Sequence, residues 1–405
     1  MNKTLGSTLI VAGTTIGGGM LAMPLTSAGI GFTWTAVLLI GLWLLLSFSA
    51  LLFVELYQTV EPDAGIGTLA EKYYGKFGRI VSTAVLLIFL YALVAAYVSG
   101  GGSLLSPVLA SVLNQDSNQL DSLSVLIFTI FFGVFIIMGT TSVDRVNRIL
   151  FFTKIVFFAI VLFLLMPKMA VENLLAMPID NALIISASPI FFTAFGFHGS
   201  IPSLNKYLDG NVKALKIAIL VGTFIPLVAY VLWQLTTHGV LSQTEFLQIL
   251  QKDPSLNGLI TATEAITGSA FIANAIRIFS ALALITSFLG VALGLFECLE
   301  DLLNRVNVRT NRISLGLLTF LPPLAFSLFY PKGFIAALGY AGQMFAFYAI
   351  VLPIAMVWKS RVQYPNLAYR VKGGKLSLIV ALIIGVLIVC VPFLIQAGKL
   401  PAVVG

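Results

Sequence analysis

Two stretches of this chain interrupt an apolar run with small and polar residues and then meet a proline. The first is Val11-Ala-Gly-Thr-Thr-Ile-Gly-Gly-Gly-Met-Leu-Ala-Met-Pro24, the second Phe191-Phe-Thr-Ala-Phe-Gly-Phe-His-Gly-Ser-Ile-Pro202. Glycine costs roughly 1 kcal/mol in a helix interior and lets the backbone unwind. A helix that stops leaves free carbonyls at the end of one half and free N–H groups at the start of the next. The N-terminal end attracts an anion and the C-terminal end a cation, each by up to about 2 kcal/mol when partly buried. An interrupted helix can therefore hold both charges of a small zwitterion. Gly17, Gly18 and Gly19 lack a Cβ, so a carboxylate can approach the backbone closely. Thr14, Ile16, Gly17, Gly18 and Gly19 are the candidate ligands of such a backbone. The alternative is packing, because Gly13-x-x-x-Gly17 is also a small-xxx-small pair. Gly17-x-Gly19-x-x-Ala22 matches a dinucleotide-binding string, but no strand or βαβ unit accompanies it.

The second break adds side-chain chemistry. Phe195 and Phe197 flank Gly196, and His198, one of two histidines, follows. An ionisable group at membrane depth is costly and is a functional candidate by default. His198 could bond a phenol hydroxyl, carry a proton, or simply tie down a freed carbonyl. His238 falls at a loop and reads as solvated. Any single Phe among the 31 present can also be lipid-facing bulk.

The elements that must position these residues follow from composition. Of the 405 residues, 59% are hydrophobic and 10% charged, and mean hydropathy is +1.02. Soluble proteins carry about 25% charged residues, so the bilayer is the solvent here. Windows of about 20 apolar residues give eleven spans: about 5–29, 33–57, 79–105, 123–140, 149–167, 182–204, 214–237, 270–298, 312–330, 333–358 and 376–398. The segment 238–269 reads as an external helix or lid. The broken N-terminal run and the spans after it argue against a cleaved signal peptide. With the N-terminus inside, only Lys168, Lys252, Lys332 and Lys399 lie outside and Arg277 lies within a span. The other eighteen of the 23 basic residues, Arg305, Arg309 and Arg312 among them, fall inside. That skew is the positive-inside pattern rather than a nucleic-acid patch. It places the N-terminus in the cytoplasm and the C-terminus in the periplasm. Cys298 and Cys390 have no disulfide or zinc spacing, and neither metal nor cofactor is expected.

The breaks fall in spans one and six. A five-span repeat inverts in the membrane, so the two broken helices run antiparallel around a pseudo-two-fold axis. The expected fold is an all-α integral membrane protein of LeuT type. It has a 5+5 inverted repeat with discontinuous helices 1 and 6, plus one extra C-terminal helix. The single transporter domain, 1–405, divides into 1–167, 182–358 and helix 11 at 376–398. Span three lines the site in that architecture. Tyr97 and Tyr91 lie there, and Tyr97 is preferred because Ser99-Gly-Gly-Gly102 follows it. Sodium symporters of that plan hold the ion between the first break and a Ser/Thr pair on span eight, here Thr286 and Ser287. Lys154 in span five could place its ammonium in that region and make a bound metal unnecessary, or snorkel to the interface. A buried lysine costs about 2.5–3.5 kcal/mol on insertion scales. Glu55, Glu297, Glu300 and Asp301 cluster at the inner span ends, where they are solvated at the interface or pair with Arg145, Arg148 or Arg305.

The strings Gly13–Pro24 and Phe195–Pro202 resemble the bacterial hydroxy and aromatic amino acid permeases. The likeness extends through Asp209-Gly-Asn, Thr286-Ser-Phe-Leu-Gly-Val-Ala-Leu-Gly294, Phe320-Leu-Pro-Pro-Leu-Ala-Phe326 and Tyr369-Arg-Val-Lys-Gly-Gly374. Relatives often carry alanine at the position of Gly18, a change that looks harmless between small residues. The resemblance implies a monomeric symporter, not an enzyme, in the bacterial inner membrane. It implies uptake of an aromatic amino acid, tyrosine foremost, with a proton as coupling ion. Sodium coupling or a broader aromatic and hydroxy amino acid range is the alternative. No span shows the continuous polar face of a channel or the convergent groups of a membrane enzyme.

Overall fold

The computed structural model describes residues 3–305, 307–308 and 310–403. Arg309, counted above among the inner basic residues, lies outside them. The described chain is helical, with no strand. The first span is two helices, α1 (Lys3–Thr15) and α2 (Gly19–Ser27), bent by 49°. Then follow α3 (Phe32–Tyr57), α4 (Ile66–Leu113), α5 (Asp121–Met138), α6 (Thr140–Leu165) and the short α7 (Val171–Leu174). The second broken span is α8 (Ala182–Ala194) and α9 (Ile201–Tyr207). After it come α10 (Val212–Val240), α11 (Gln243–Lys252), α12 (Leu256–Thr267), α13 (Ala270–Arg305) and α14 (Arg312–Phe329). The tenth span, α15 (Phe334–Ala346) and α16 (Leu352–Gln363), is joined through a π-helical turn at Phe347–Val351, and α17 (Gly374–Gln396) completes the bundle. Among the described residues ten helices are long and apolar enough to cross a bilayer, and the bent pair makes the eleventh span.

Three spans run well past their apolar windows, α6 among them, which begins at Thr140 rather than near 149. α4 begins at Ile66 rather than near 79 and bends at Gly75, whose φ of 63° an L-residue rarely adopts. α13 continues to Arg305. A hydropathy window detects what the bilayer must cover, not the charged turns that extend past it. Large apolar side chains such as Phe163 and Phe329 stay exposed on the bundle's outside, where lipid is the expected neighbour. Inside, α1 lies close on α10, because a Cβ at Gly222 would fall 2.6 Å from the Cβ of Val11.

Prolines explain several local features. Pro353 has no N–H, so the carbonyl four residues earlier, at Ala349, loses its helical partner. The helix widens into the π turn there, and the Ser49 hydroxyl of α3 donates to the Ala349 carbonyl. In α8, Pro189 likewise frees Ile185, whose carbonyl accepts from Ser188 at 2.7 Å.

One end of the bundle, which carries Lys72, Arg79, Arg305 and Arg361, is called the basic end here. The Glu55 carboxylate is buried there and receives two bonds from Arg361, at 2.7 and 2.8 Å, and one from the Val371 N–H. Gln58 exchanges two hydrogen bonds with the backbone of Tyr369. The Tyr369–Gly374 string is thus the strap that ties α3 to α16. This corrects the expected pairing of Glu55 with Arg145, Arg148 or Arg305. Arg148 instead bonds Asp144 within α6, while the expected pairing of Asp301 with Arg305 does form, within α13.

At the opposite end the expected lid is two helices, α11 and α12, which bury Phe246, Leu250, Leu256, Leu259 and Ile260 over the bundle. Gln243 fastens this cover to the carbonyls of Ala28 and Met177. His238 is not solvated as expected. It lies on the last turn of α10, buried, with Nε2 2.9 Å from the Ser27 hydroxyl.

Candidate functional site

The first break spans Ile16–Gly18, between α1 and α2, and is buried. Its loose backbone groups find side-chain partners. The Gly18 N–H donates to Ser287 Oγ at 2.8 Å. The Ile16 carbonyl accepts from Lys154 Nζ at 2.7 Å. The glycines are needed for close approach. A Cβ at Gly17 would overlap Ser287 Oγ, and one at Gly19 would lie 2.9 Å from the Cα of Ala194. The two breaks are therefore in contact. A Cβ at Gly18 would lie 2.7 Å from the Tyr97 ring, so alanine is not a harmless exchange there; Tyr97 would have to move.

The second break spans Phe195–Phe197. Phe195 and Phe197 are fully buried, while Gly196 is partly exposed and Gly199 exposed. One side chain joins the two breaks. The Tyr230 hydroxyl on α10 lies 2.6 Å from the Thr15 carbonyl and 2.7 Å from the Ala194 carbonyl. These are the last residues of α1 and α8. The Phe195 ring meets the Tyr230 ring edge to face, centroids 5.0 Å apart. Tyr97, on α4, neighbours both Ser287 and Tyr230.

Lys154 does not snorkel. It is 1% exposed on α6, and its ammonium bonds both the Ile16 carbonyl and Thr286 Oγ1, the latter at 3.2 Å. The Phe151 ring lies 4.9 Å away on its third side. The cation thus ties spans one, five and eight together beside the first break. Among the described residues no group of three His, Cys, Asp or Glu side chains could hold a metal ion.

His198 sits fully buried among the rings of Phe53, Phe197 and Phe345. Its Nε2 is 3.1 Å from Ser49 Oγ. The single hydrogen of Ser49 serves the Ala349 carbonyl, so Ser49 accepts from His198, and Nε2 carries the ring hydrogen. That leaves Nδ1 as a bare acceptor, and it is buried with no partner. The π turn freed by Pro353 therefore reaches the His198 ring through Ser49 of α3.

A cavity of about 1150 Å³ opens at the basic end and reaches Gly199, Pro202 and Tyr348, next to the second break. Glu61, Asp63, Lys72, Arg79, Asp301 and Arg305 line its mouth. The helices α11 and α12 pack over the opposite end. The sequence profile of the tryptophan/tyrosine permease family matches residues 1–392. The chain belongs to that family.

The permease is 68% identical over 406 residues to the tyrosine-specific transport system 1 of Haemophilus influenzae, covering all of both chains. It is 56% identical to tyrosine-specific transport system 2 of the same organism, over 100% of this chain and 99% of that one. A solved manganese transporter of Eremococcus coleocola shares the fold, with a TM-score of 0.61 at 15% identity over 98% of this chain and 86% of the other. The architecture is thus the LeuT type expected. Of the candidate residues in this family member, Ile16, Gly17, Gly18, Gly19, Tyr97, Lys154, Phe195, Gly196, Phe197, His198, Thr286 and Ser287 lie at or beside the breaks. Thr14 does not join them. Its exposed hydroxyl bonds back to the Ile10 and Val11 carbonyls, because one residue turns a helix by about 100°. Thr15 faces the centre instead. Tyr91 reaches the Leu318 carbonyl, away from the breaks. Tyr230, Thr15 and Ser49 escaped sequence reading.

Proposed function

We propose that the permease imports an aromatic amino acid, tyrosine foremost, by proton symport across the bacterial inner membrane, with its N-terminus in the cytoplasm. The substrate backbone would lie at the two breaks, its carboxylate toward Gly17–Gly19 and its ammonium toward the carbonyls that end α1 and α8. The aromatic ring would take the space bounded by Tyr97, Phe195 and Phe197. The observation that carries this reading is the meeting of two interrupted helices at one centre, with donors on one side and acceptors on the other. The names of the two Haemophilus relatives, both tyrosine-specific, support the substrate.

Lys154 supports the proton. Its ammonium stands between the first break and Thr286, where a sodium symporter of this plan would hold its ion. A tethered cation that can lose its proton would couple a proton to the state of α1. The cavity at the basic end supports a form open to the cytoplasm, and the two repeats, 1–167 and 182–358, would rock about the breaks. One proton falling through roughly 150 mV releases about 3.5 kcal/mol, enough for roughly 300-fold accumulation.

The test is labelled tyrosine uptake into proteoliposomes with an imposed proton gradient and no sodium. Accumulation that a protonophore abolishes is expected. Uptake that needs sodium and ignores the proton gradient would overturn the coupling, and no tyrosine uptake under either gradient would overturn the substrate.

A further inference from the structure

Each pole of the break centre is already plugged by a hydroxyl of the protein. At the acceptor pole, Tyr230 sits in the notch between the Thr15 and Ala194 carbonyls, 2.6 and 2.7 Å from them. A phenol has one hydrogen and serves one carbonyl fully at a time. An ammonium has three and could serve both. At the donor pole, Ser287 Oγ accepts the Gly18 N–H and lies 2.3 Å from where a Cβ on Gly17 would be. That is bare backbone at the start of a helix, where a carboxylate oxygen would bind. Tyr230 is fully buried on α10 and Ser287 stands on α13, so the two plugs come from different helices. Tyr97 neighbours both.

We infer that Tyr230 and Ser287 are resident stand-ins for the ammonium and carboxylate of the substrate. They satisfy the broken helix ends in the empty carrier and are displaced when a zwitterion binds. This rests on the substrate position proposed above. Its consequence is that binding exchanges one set of hydrogen bonds for another, which keeps affinity moderate. It also lets the empty carrier change conformation without exposing unpaired backbone, which is costly at membrane depth. Tyr230 in addition holds the ends of α1 and α8 together until the substrate takes over that link.

The experiment measures binding to the purified full-length permease of tyrosine, of tyramine, which lacks the carboxylate, and of 3-(4-hydroxyphenyl)propionate, which lacks the ammonium. Tyr230→Phe removes the hydroxyl and keeps the ring. It should tighten tyrosine and tyramine roughly three- to ten-fold, the range of one hydrogen bond, and leave the propionate unchanged. Ser287→Ala should tighten tyrosine and the propionate and leave tyramine unchanged. The two variants test opposite poles, so either one suffices if the other does not accumulate. Equal shifts for all three ligands would mean a purely structural role and overturn the inference. Weaker tyrosine binding in the variants would overturn it too, by making the hydroxyls permanent ligands. Failure of the wild-type protein to bind tyrosine would overturn the underlying substrate reading before any variant is made, and this inference with it.

Discussion

The His198 ring illustrates how a single side chain can be poised by its neighbours. Its Nε2–H is committed to Ser49, and its buried Nδ1 has no donor. Leaving a buried acceptor unpaired costs about 1–3 kcal/mol, which a phenol hydroxyl arriving with tyrosine would recover and phenylalanine would not. His198→Phe is therefore expected to lower the preference for tyrosine over phenylalanine about ten-fold, measured by competition for uptake. An unchanged ranking of the two substrates would remove His198 from the pocket. Lys154 makes the opposite kind of bond, a charged donor onto a helix end. Lys154→Met keeps much of the length and apolar stem but gives the Ile16 carbonyl no donor. Exchange of internal for external tyrosine should persist in this variant while proton-driven accumulation is lost. Accumulation at the wild-type level would leave Lys154 as a structural tie alone. Gly18 matters through the ring above it. Gly18→Ala should raise the half-saturation concentration for tyrosine several-fold by pushing Tyr97 aside, and Tyr97→Leu should partly restore it in the double variant.

Elements here are tied at their ends rather than along their lengths. α3 and α16 meet through Glu55 and Arg361, with the Val371 N–H completing the carboxylate's partners. Removing one partner of a buried ion pair costs about 3–5 kcal/mol. Arg361 keeps some contact with solvent, so about 2 kcal/mol is expected for Glu55→Gln, seen as a lower thermal midpoint in detergent. Adding Arg361→Gln should recover part of the loss; a double variant no better than the single would mean that the strap is held by Gln58 instead. Much of this level was legible from sequence. Eleven apolar windows were visible because the bilayer demands about twenty residues each, and the breaks because Gly17–Gly19 and Gly196 cannot continue an apolar helix cheaply. Lys154 stood out as a lone cation in an apolar run. What stayed hidden depended on helix phase or on distance along the chain. Thr14 and Thr15 differ only in the face they present. Glu55 and Arg361 are 306 residues apart. Tyr230 is one of twelve tyrosines with no local mark, and only the meeting of α1, α8 and α10 gives it two carbonyls.

On the scale of the whole molecule, the two ends of the bundle differ. The helices α11 and α12 cover one, while a cavity of about 1150 Å³ enters the other. Small-molecule pockets run to about 300–1,000 Å³, so this cavity is larger than a single amino acid needs. Closure of one end and opening of the other is what a carrier needs to face one compartment at a time. The chain supplies its own probe of that state. Cys298 lines the cavity, whereas the other cysteine, Cys390, lies on α17 within an apolar span. A membrane-impermeant maleimide should therefore label Cys298 in inside-out vesicles and not in right-side-out vesicles, with Cys298→Ser as the control that removes the signal. Saturating tyrosine, by drawing α9 and α13 together over an occupied site, should slow that labelling several-fold. Labelling from the periplasmic face alone would reverse the proposed orientation of the basic end. Equal labelling from both faces would mean that the α11–α12 cover does not close the bundle, and the alternating scheme would lose its structural footing.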